Sequence, residues 1–227
     1  MFARVKFLGS RVAPMASVVA ALLLLASQSF ATPVVWSIEA GGNGHTYNFV
    51  PLSSAVSWEQ ANAQAEAAPL VAGEISYLAT IRSAEEQAFI QNAVLPPVNV
   101  GVNKNQVWIG GQQNLEPLAN SIPSTPSAGW NWIMNTEVSP ESWSYTNWLS
   151  EHEPSNDGQI DERFLTMWVH FYQAGQDLRG TWNDEKSVAP TTSLIIGMIV
   201  ESAVPEPATA ALSALGIALL ALRRRRS

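Results

Sequence analysis

Five carboxylates lie between Glu151 and Glu162: Glu151, Glu153, Asp157, Asp161 and Glu162, in a segment that also contains Pro154 and Gly158. Further along, Asn183 and Asp184 follow Trp182 and add an amide and another carboxylate from a later turn. Calcium takes six to eight oxygens at about 2.3–2.6 Å, mixing carboxylates, amide carbonyls and water, so these two stretches hold the right chemistry for one such ion. An acidic loop alone is more often a solvated surface; the second stretch is what favours a cation. Glycoside hydrolysis needs an acid and a base at a set separation across a cleft. Carboxylates crowded into one short loop resemble a cation cage more than that cleft. His45, His152 and His170 are scattered and are assigned no metal or base role. With no cysteine in the chain, thiol chemistry and Cys-ligated zinc are excluded.

Charge narrows the partners. Between Thr32 and Val204 there are five Lys and Arg against eighteen Asp and Glu, a net charge of −13. Such a surface opposes nucleic acid and anionic bilayers and suits cations or neutral, hydroxyl-rich ligands. A domain without disulfides must hold together by its core or by a metal, and most of the nine tryptophans belong in that core.

The elements that must position these residues are legible in outline. Ser57 with Gln60 and Ser83 with Glu86 are Ser-x-x-Gln/Glu pairs, each marking a helix start. The first helix carries Trp58, Ala61, Ala65 and Ala68 on one side, the second Phe89, Ile90 and Val94, and Tyr77 to Ile81 between them suits a strand. From Val107 onward short apolar segments (Val107 to Ile109, Trp130 to Met134, Phe164 to Val169, Leu194 to Val200) alternate with Gly, Pro, Ser and Asn, as strands joined by long loops do. Gln112 to Ala128 has the composition of a surface excursion.

Both ends read as addresses. Met1 to Arg11 is basic, Met15 to Ala26 apolar, and Ser29-Phe30-Ala31 offers small residues for a leader peptidase, which predicts a signal peptide over 1–31 cleaved after Ala31. At the other end Val204-Pro205-Glu206-Pro207 precedes an apolar stretch from Ala208 to Leu222, then Arg223, Arg224, Arg225 and Arg226. As a helix, 208–222 spans roughly 22 Å of the roughly 30 Å hydrocarbon core, so snorkelling arginines or local thinning must complete the crossing. Flanking arginines stay cytoplasmic, which puts the preceding domain on the far side.

This order of Val-Pro-Glu-Pro, short apolar helix and basic end over Val204 to Ser227 resembles the PEP-CTERM sorting signal of Gram-negative bacteria. The resemblance implies recognition by an exosortase-type processing enzyme, inner-membrane anchoring through the C-terminal helix, and delivery to the cell surface or extracellular matrix. A permanent single-span anchor is the alternative.

Between the ends a second resemblance runs through Tyr47-x10-Trp58, Tyr77-Leu78-Ala79-Thr80-Ile81 with Ser83-Ala84-Glu85-Glu86, and Trp108-Ile109-Gly110-Gly111. It continues through Gly129-Trp130-Asn131-Trp132, Tyr145-Thr146-Asn147-Trp148, Glu153-Pro154-Ser155-Asn156-Asp157, Trp182-Asn183-Asp184 and the closing stretch Ile195 to Glu201. Taken in order these blocks resemble a C-type lectin-like domain, with its core over 47–201 of a domain spanning 32–203. The implied fold is α+β, a double loop in which two helices flank small antiparallel sheets under a long loop region, with the signal helix and the C-terminal transmembrane helix outside it.

By position, the resemblance implies calcium ligands at Glu153, Ser155, Asp161, Asn183 and Asp184, a cis Pro154, and sugar contacts at Glu153, Ser155, Asn156, Asp161 and Asn183. The family's Glu-Pro-Asn is Glu153-Pro154-Ser155 here, so a hydroxyl replaces an amide, and Asn156 next door offers an amide instead. The function implied is calcium-dependent binding of carbohydrate, including exopolysaccharide, by a protein that is not an enzyme. The alternative is the same fold as a protein-binding or matrix module, which Ser155 favours.

Overall fold

The computed structural model describes residues 32–97, 104–113, 129–134, 137–138, 143–149, 153–155, 162–187 and 194–204. The leader, Asn156, Asp161, Pro205 to Pro207, the 208–222 stretch and Arg223 to Arg226 lie outside the described residues. So does 114–128, most of the expected surface excursion.

The chain begins with β1 (Val34–Val35), a 3₁₀ turn (Ile38–Ala40) and β2 (Thr46–Pro51). Helix α1 (Trp58–Ala67) starts where expected: Ser57 accepts from the Gln60 N–H while the Gln60 side chain accepts from the Ser57 N–H, closing a full capping box. Trp58, Ala61 and Ala65 are buried, but Ala68 is the C-cap and exposed, so the apolar side ends one turn early. After β3 (Ile75–Leu78) comes α2 (Ala84–Phe89), continued by a π-helical turn (Ile90–Val94) that buries Ile90 and Val94. Ser83 accepts from the Glu86 N–H, as predicted. The Glu86 carboxylate, however, turns to the Arg82 N–H and into the core.

The remaining strands are β4 (Asn105–Gln113), β5 (Trp130–Met134), β6 (Glu137–Val138), β7 (Phe164–His170), β8 (Tyr172–Gln173), β9 (Gln176–Asp177), β10 (Trp182–Glu185) and β11 (Leu194–Ala203). β11 is the centre of the sheet. It pairs antiparallel with β2 and β3 and parallel with β4; β4 carries β5 and β7, and β7 carries β10. The result is a mixed α/β architecture of two helices and largely antiparallel strands.

Successive side chains of a strand point to opposite faces, and here both faces are covered. On β4, Val107 and Ile109 pack with Tyr47, Ile81, Trp132, Leu165, Met167 and Trp182, whereas Trp108 joins Trp58, Leu78, Phe164 and Met198 on the other side. On β11, Ile199 enters the first cluster and Met198 and Val200 the second. The Trp58 indole donates to the Ile109 carbonyl at 2.9 Å and stacks on Phe164, which fixes α1 against the sheet. Gly110 is required where β3 meets β4, since a Cβ there would sit 2.4 Å from the Leu78 carbonyl oxygen.

Candidate cation site

The site is built outward from Trp182. Its side chain is fully buried, ringed by Trp132, Trp143, Tyr145 and Trp148 at centroid distances of 5.6–5.9 Å. Three of these contacts are close to edge-on, at 84–86°, the arrangement that the ring quadrupole favours. The segment 143–149 is strapped to the head of β10: Trp182 N–H donates to the Asn147 carbonyl at 2.7 Å and Leu149 N–H to the Trp182 carbonyl at 2.9 Å. Pairing of β10 with β7 then sets Asn183 opposite Thr166 and Asp184 opposite Leu165.

Asp184 is 1% exposed, and both its carboxylate oxygens accept from the backbone N–H of Ser155, at 3.1 and 3.0 Å. This brings the 153–155 loop onto β10 across 29 residues of sequence. The Glu153–Pro154 bond is cis. Glu153 shares a hydrogen bond with Asp184 and another with the Ser155 side chain, and Glu162, 8% exposed, lies within electrostatic reach. Burial, then the Asp184 hydrogen bond and the Asp184 and Glu162 charges, push the Glu153 carboxyl up to about 8. Its Oε2 is buried and has no hydrogen-bond partner among the described residues.

Of the expected ligands, therefore, Glu153, Ser155 and Asp184 converge. Asn183 is the next residue on the strand, and its amide donates to the Asp184 carbonyl at 2.7 Å and toward the Glu185 carboxylate at 3.5 Å. Glu185 is itself 3% exposed and accepts from Gln106 at 2.8 Å. Asp161 and Asn156 lie outside the described residues. Among the described residues no three His, Asp or Glu side chains form a group that could hold a metal ion on their own.

Two features were not foreseen. One is Gln87 on α2, which accepts from the Trp182 indole. The other is a buried ionic cluster joining α2, β2 and β11. Glu201 is fully buried and accepts from the Thr80 N–H and hydroxyl, from Tyr47 Oη and from His45 Nδ1 at 2.5 Å. Glu86, 2% exposed, accepts from the Asn43 amide and is the nearer of the two carboxylates that share the single Tyr47 O–H, at 2.5 Å against 3.1 Å for Glu201. The sequence signal was Glu201 itself, a charge inside an apolar terminal strand.

Burial opposes a charged His45, but the hydrogen bond and charge of Glu201 outweigh it and the imidazole titrates above its ordinary 6.5. Burial and the Glu201 charge lift the Glu86 carboxyl to about 6. Both raised values mean that the folded state holds more protons than the unfolded one. The His45 contribution is complete below pH 6.5 and is lost as pH rises through the higher folded value; the Glu86 contribution fades from pH 4.5 through about 6. Glu153, raised to about 8, adds to the same trend, so calcium-free protein should lose thermal stability as pH rises from 5 toward 9, and His45→Gln should reduce, without abolishing, the part above 6.5. Melting curves at stepped pH check this; an unchanged slope in the variant would contradict it.

A search of curated proteins finds no match to this sequence. Among solved structures, the fold is similar to the EPNH mutant of CEL-I, with a TM-score of 0.47 and 20% identity, covering 72% of this chain and 93% of the other. It is similar also to the C-type lectin CEL-I from Cucumaria echinata, with a TM-score of 0.46, 18% identity and coverage of 72% and 94%. A third is ovocleidin-17, a major protein of the Gallus gallus eggshell calcified layer, with a TM-score of 0.39, 19% identity and coverage of 70% and 92%. Among the described residues no helix is long and apolar enough to cross a membrane. At the C-terminus residues 203–226 match the PEP-CTERM protein-sorting motif, so the chain carries the address of exported, membrane-associated proteins processed by an exosortase.

Proposed function

We propose that this chain is a surface-sorted, calcium-dependent carbohydrate-binding protein without enzymatic activity, and that exopolysaccharide is among its ligands. The leader 1–31 would be removed, the domain 32–203 would act outside the cytoplasm, and 204–227 would hold it in the inner membrane through 208–222 until processing. The observation that carries the reading is the Glu153–Asp184 pair: two carboxylates from distant stretches, mostly out of water, with one buried oxygen lacking any partner among the described residues. Like charges so placed need a proton or a cation between them. The donor set of hard oxygens suits calcium.

In this reading Glu153, Ser155, Asp161, Asn183 and Asp184 would hold the ion, and Asn156 would join Glu153, Ser155, Asp161 and Asn183 in contact with sugar. Calcium, when bound there, would supply a Lewis acid for two neighbouring sugar hydroxyls. The carboxylates of Glu153 and Asp161 would accept hydrogen bonds from those hydroxyls, and amide N–H groups would donate to their oxygens. Single-site affinity for so polar a ligand is about millimolar, and useful binding comes from many copies on one surface.

A second reading, a lectin-fold module for protein or matrix contacts, is favoured by one observation. The Ser155 N–H is spent on Asp184 and its side chain hydrogen-bonds Glu153, where the family has an amide for sugar.

The test is a melt with calcium and with chelator, followed by a glycan array. Calcium at a hundredfold excess over Kd should add roughly 2.7 kcal/mol, and Glu153→Gln should abolish the gain. Because the ion must displace the proton held by Glu153, affinity should rise about tenfold per pH unit on approaching pH 8 and level off above it. A melt indifferent to chelator would remove the cation. Calcium binding without any glycan would select the module reading.

A further inference from the structure

We infer that Gln87 is a positioning residue for the candidate cation site, acting through Trp182 from helix α2; the inference rests on the calcium reading above. Gln87 is 4% exposed and uses both ends of its amide on the segment leading into β10. Its Oε1 accepts from the Trp182 indole N–H at 2.8 Å, and its Nε2 donates to the Gly180 carbonyl at 2.9 Å and lies 3.3 Å from the Met167 sulfur. The Gly180 carbonyl also accepts from the Asn147 amide at 2.9 Å, so α2 and the 143–149 strap meet on one carbonyl.

Space around this contact is used up. Gly180 has φ +83°, and a Cβ there would sit 2.4 Å from Gln91 Oε1 and 3.2 Å from the Gln87 amide nitrogen. Residues 180–182 are thus held from the helix side, and two residues later Asp184 meets the loop carrying Glu153 and Ser155. A rigid indole cannot shift without moving the backbone that presents Asp184, since Trp182 is bonded at N–H, carbonyl and ring. Gln87 therefore sets how far Asp184 lies from the 153–155 loop, although it touches no candidate ligand itself. Partners of this kind, one step removed from the ligands, alter metal affinity about 10–100-fold when lost.

The experiment uses the full chain in detergent and calcium chloride alone as the probe. Gln87→Leu has similar length and removes both hydrogen bonds. Val94→Ala, in the π-helical turn after α2, is a destabilised control whose residue packs in the same core. Calcium affinity is measured calorimetrically at a temperature where both variants retain native circular dichroism, and the Trp182 indole resonance is followed by NMR, assigned with Trp182→Phe. Gln87→Leu should weaken calcium binding at least about tenfold and move the indole resonance, whereas Val94→Ala should change affinity by under about twofold at comparable loss of melting temperature. Equal affinities in the two variants, with wild type binding normally, would overturn the positioning role alone. A wild-type chain that binds no calcium would overturn both this role and the reading beneath it. Should Gln87→Leu fail to fold, Gln87→Met, which also loses both hydrogen bonds, takes its place against Val94→Ala, and equal affinities of that pair would likewise overturn the role.

Discussion

Trp182→Ala should cost about 3–5 kcal/mol from lost packing alone, read as a fall in the urea midpoint of the calcium-free domain. The truncation empties the middle of the aromatic ring formed by Trp132, Trp143, Tyr145 and Trp148 and strips Gln87 Oε1 of its donor. An orphaned buried acceptor adds about 1–3 kcal/mol. Trp182→Phe should fall between wild type and alanine, because it keeps one aromatic ring in the cluster while losing the indole N–H and part of the ring volume. A loss under about 1 kcal/mol for alanine would mean that the cluster collapses around the gap, contrary to the tight packing described.

Glu201→Ala should be comparably damaging, at about 3–5 kcal/mol. One carboxylate serves the Thr80 N–H and hydroxyl and His45, which lose it together, whereas the Tyr47 phenol keeps Glu86 as its nearer acceptor. Glu201→Gln keeps an acceptor while removing the charge that raises His45, so it should cost clearly less and weaken the pH dependence above 6.5. Chemical denaturation of the two variants at pH 5 and pH 8 distinguishes them. Equal losses at both pH values for the glutamine variant would show that the cluster acts by shape and not by charge.

Local signals carried most of the fold. Ser57 with Gln60 and Ser83 with Glu86 located both helix starts because the pattern depends on residues three apart and on nothing distant. The apolar runs located β5, β7 and β11 for the same reason, β5 with both ends and β11 continuing to Ala203, whereas the strand expected over Tyr77 to Ile81 is β3 at Ile75–Leu78 and Ala79 to Ile81 lie beyond it. The apolar run Val107 to Ile109 marks only the middle of β4, which spans Asn105 to Gln113. Its flanking polar and glycine residues resemble loop in composition, and only burial on both faces makes them strand.

At the candidate site, the sequence pointed to Glu153, Ser155 and Asp184, which the fold brings into contact, and to the cis bond at Pro154. It did not point to Gln87 or to the use of His45. A buried glutamine on a helix reads as surface until the indole it meets is known, 95 residues away. His45 looked isolated because its partner, Glu201, lies 156 residues further on. Pairings at such separations leave no periodicity to read.

The order in which the strands are made and the order in which they lie are opposed. β11, the last strand among the described residues, sits between β2 and β4 and also borders β3, so three earlier strands have open edges until Leu194–Ala203 is in place. Contacts that distant close slowly. A chain that stops before Leu194 lacks the strand that joins β2, β3 and β4, and that strand ends where the sorting motif begins.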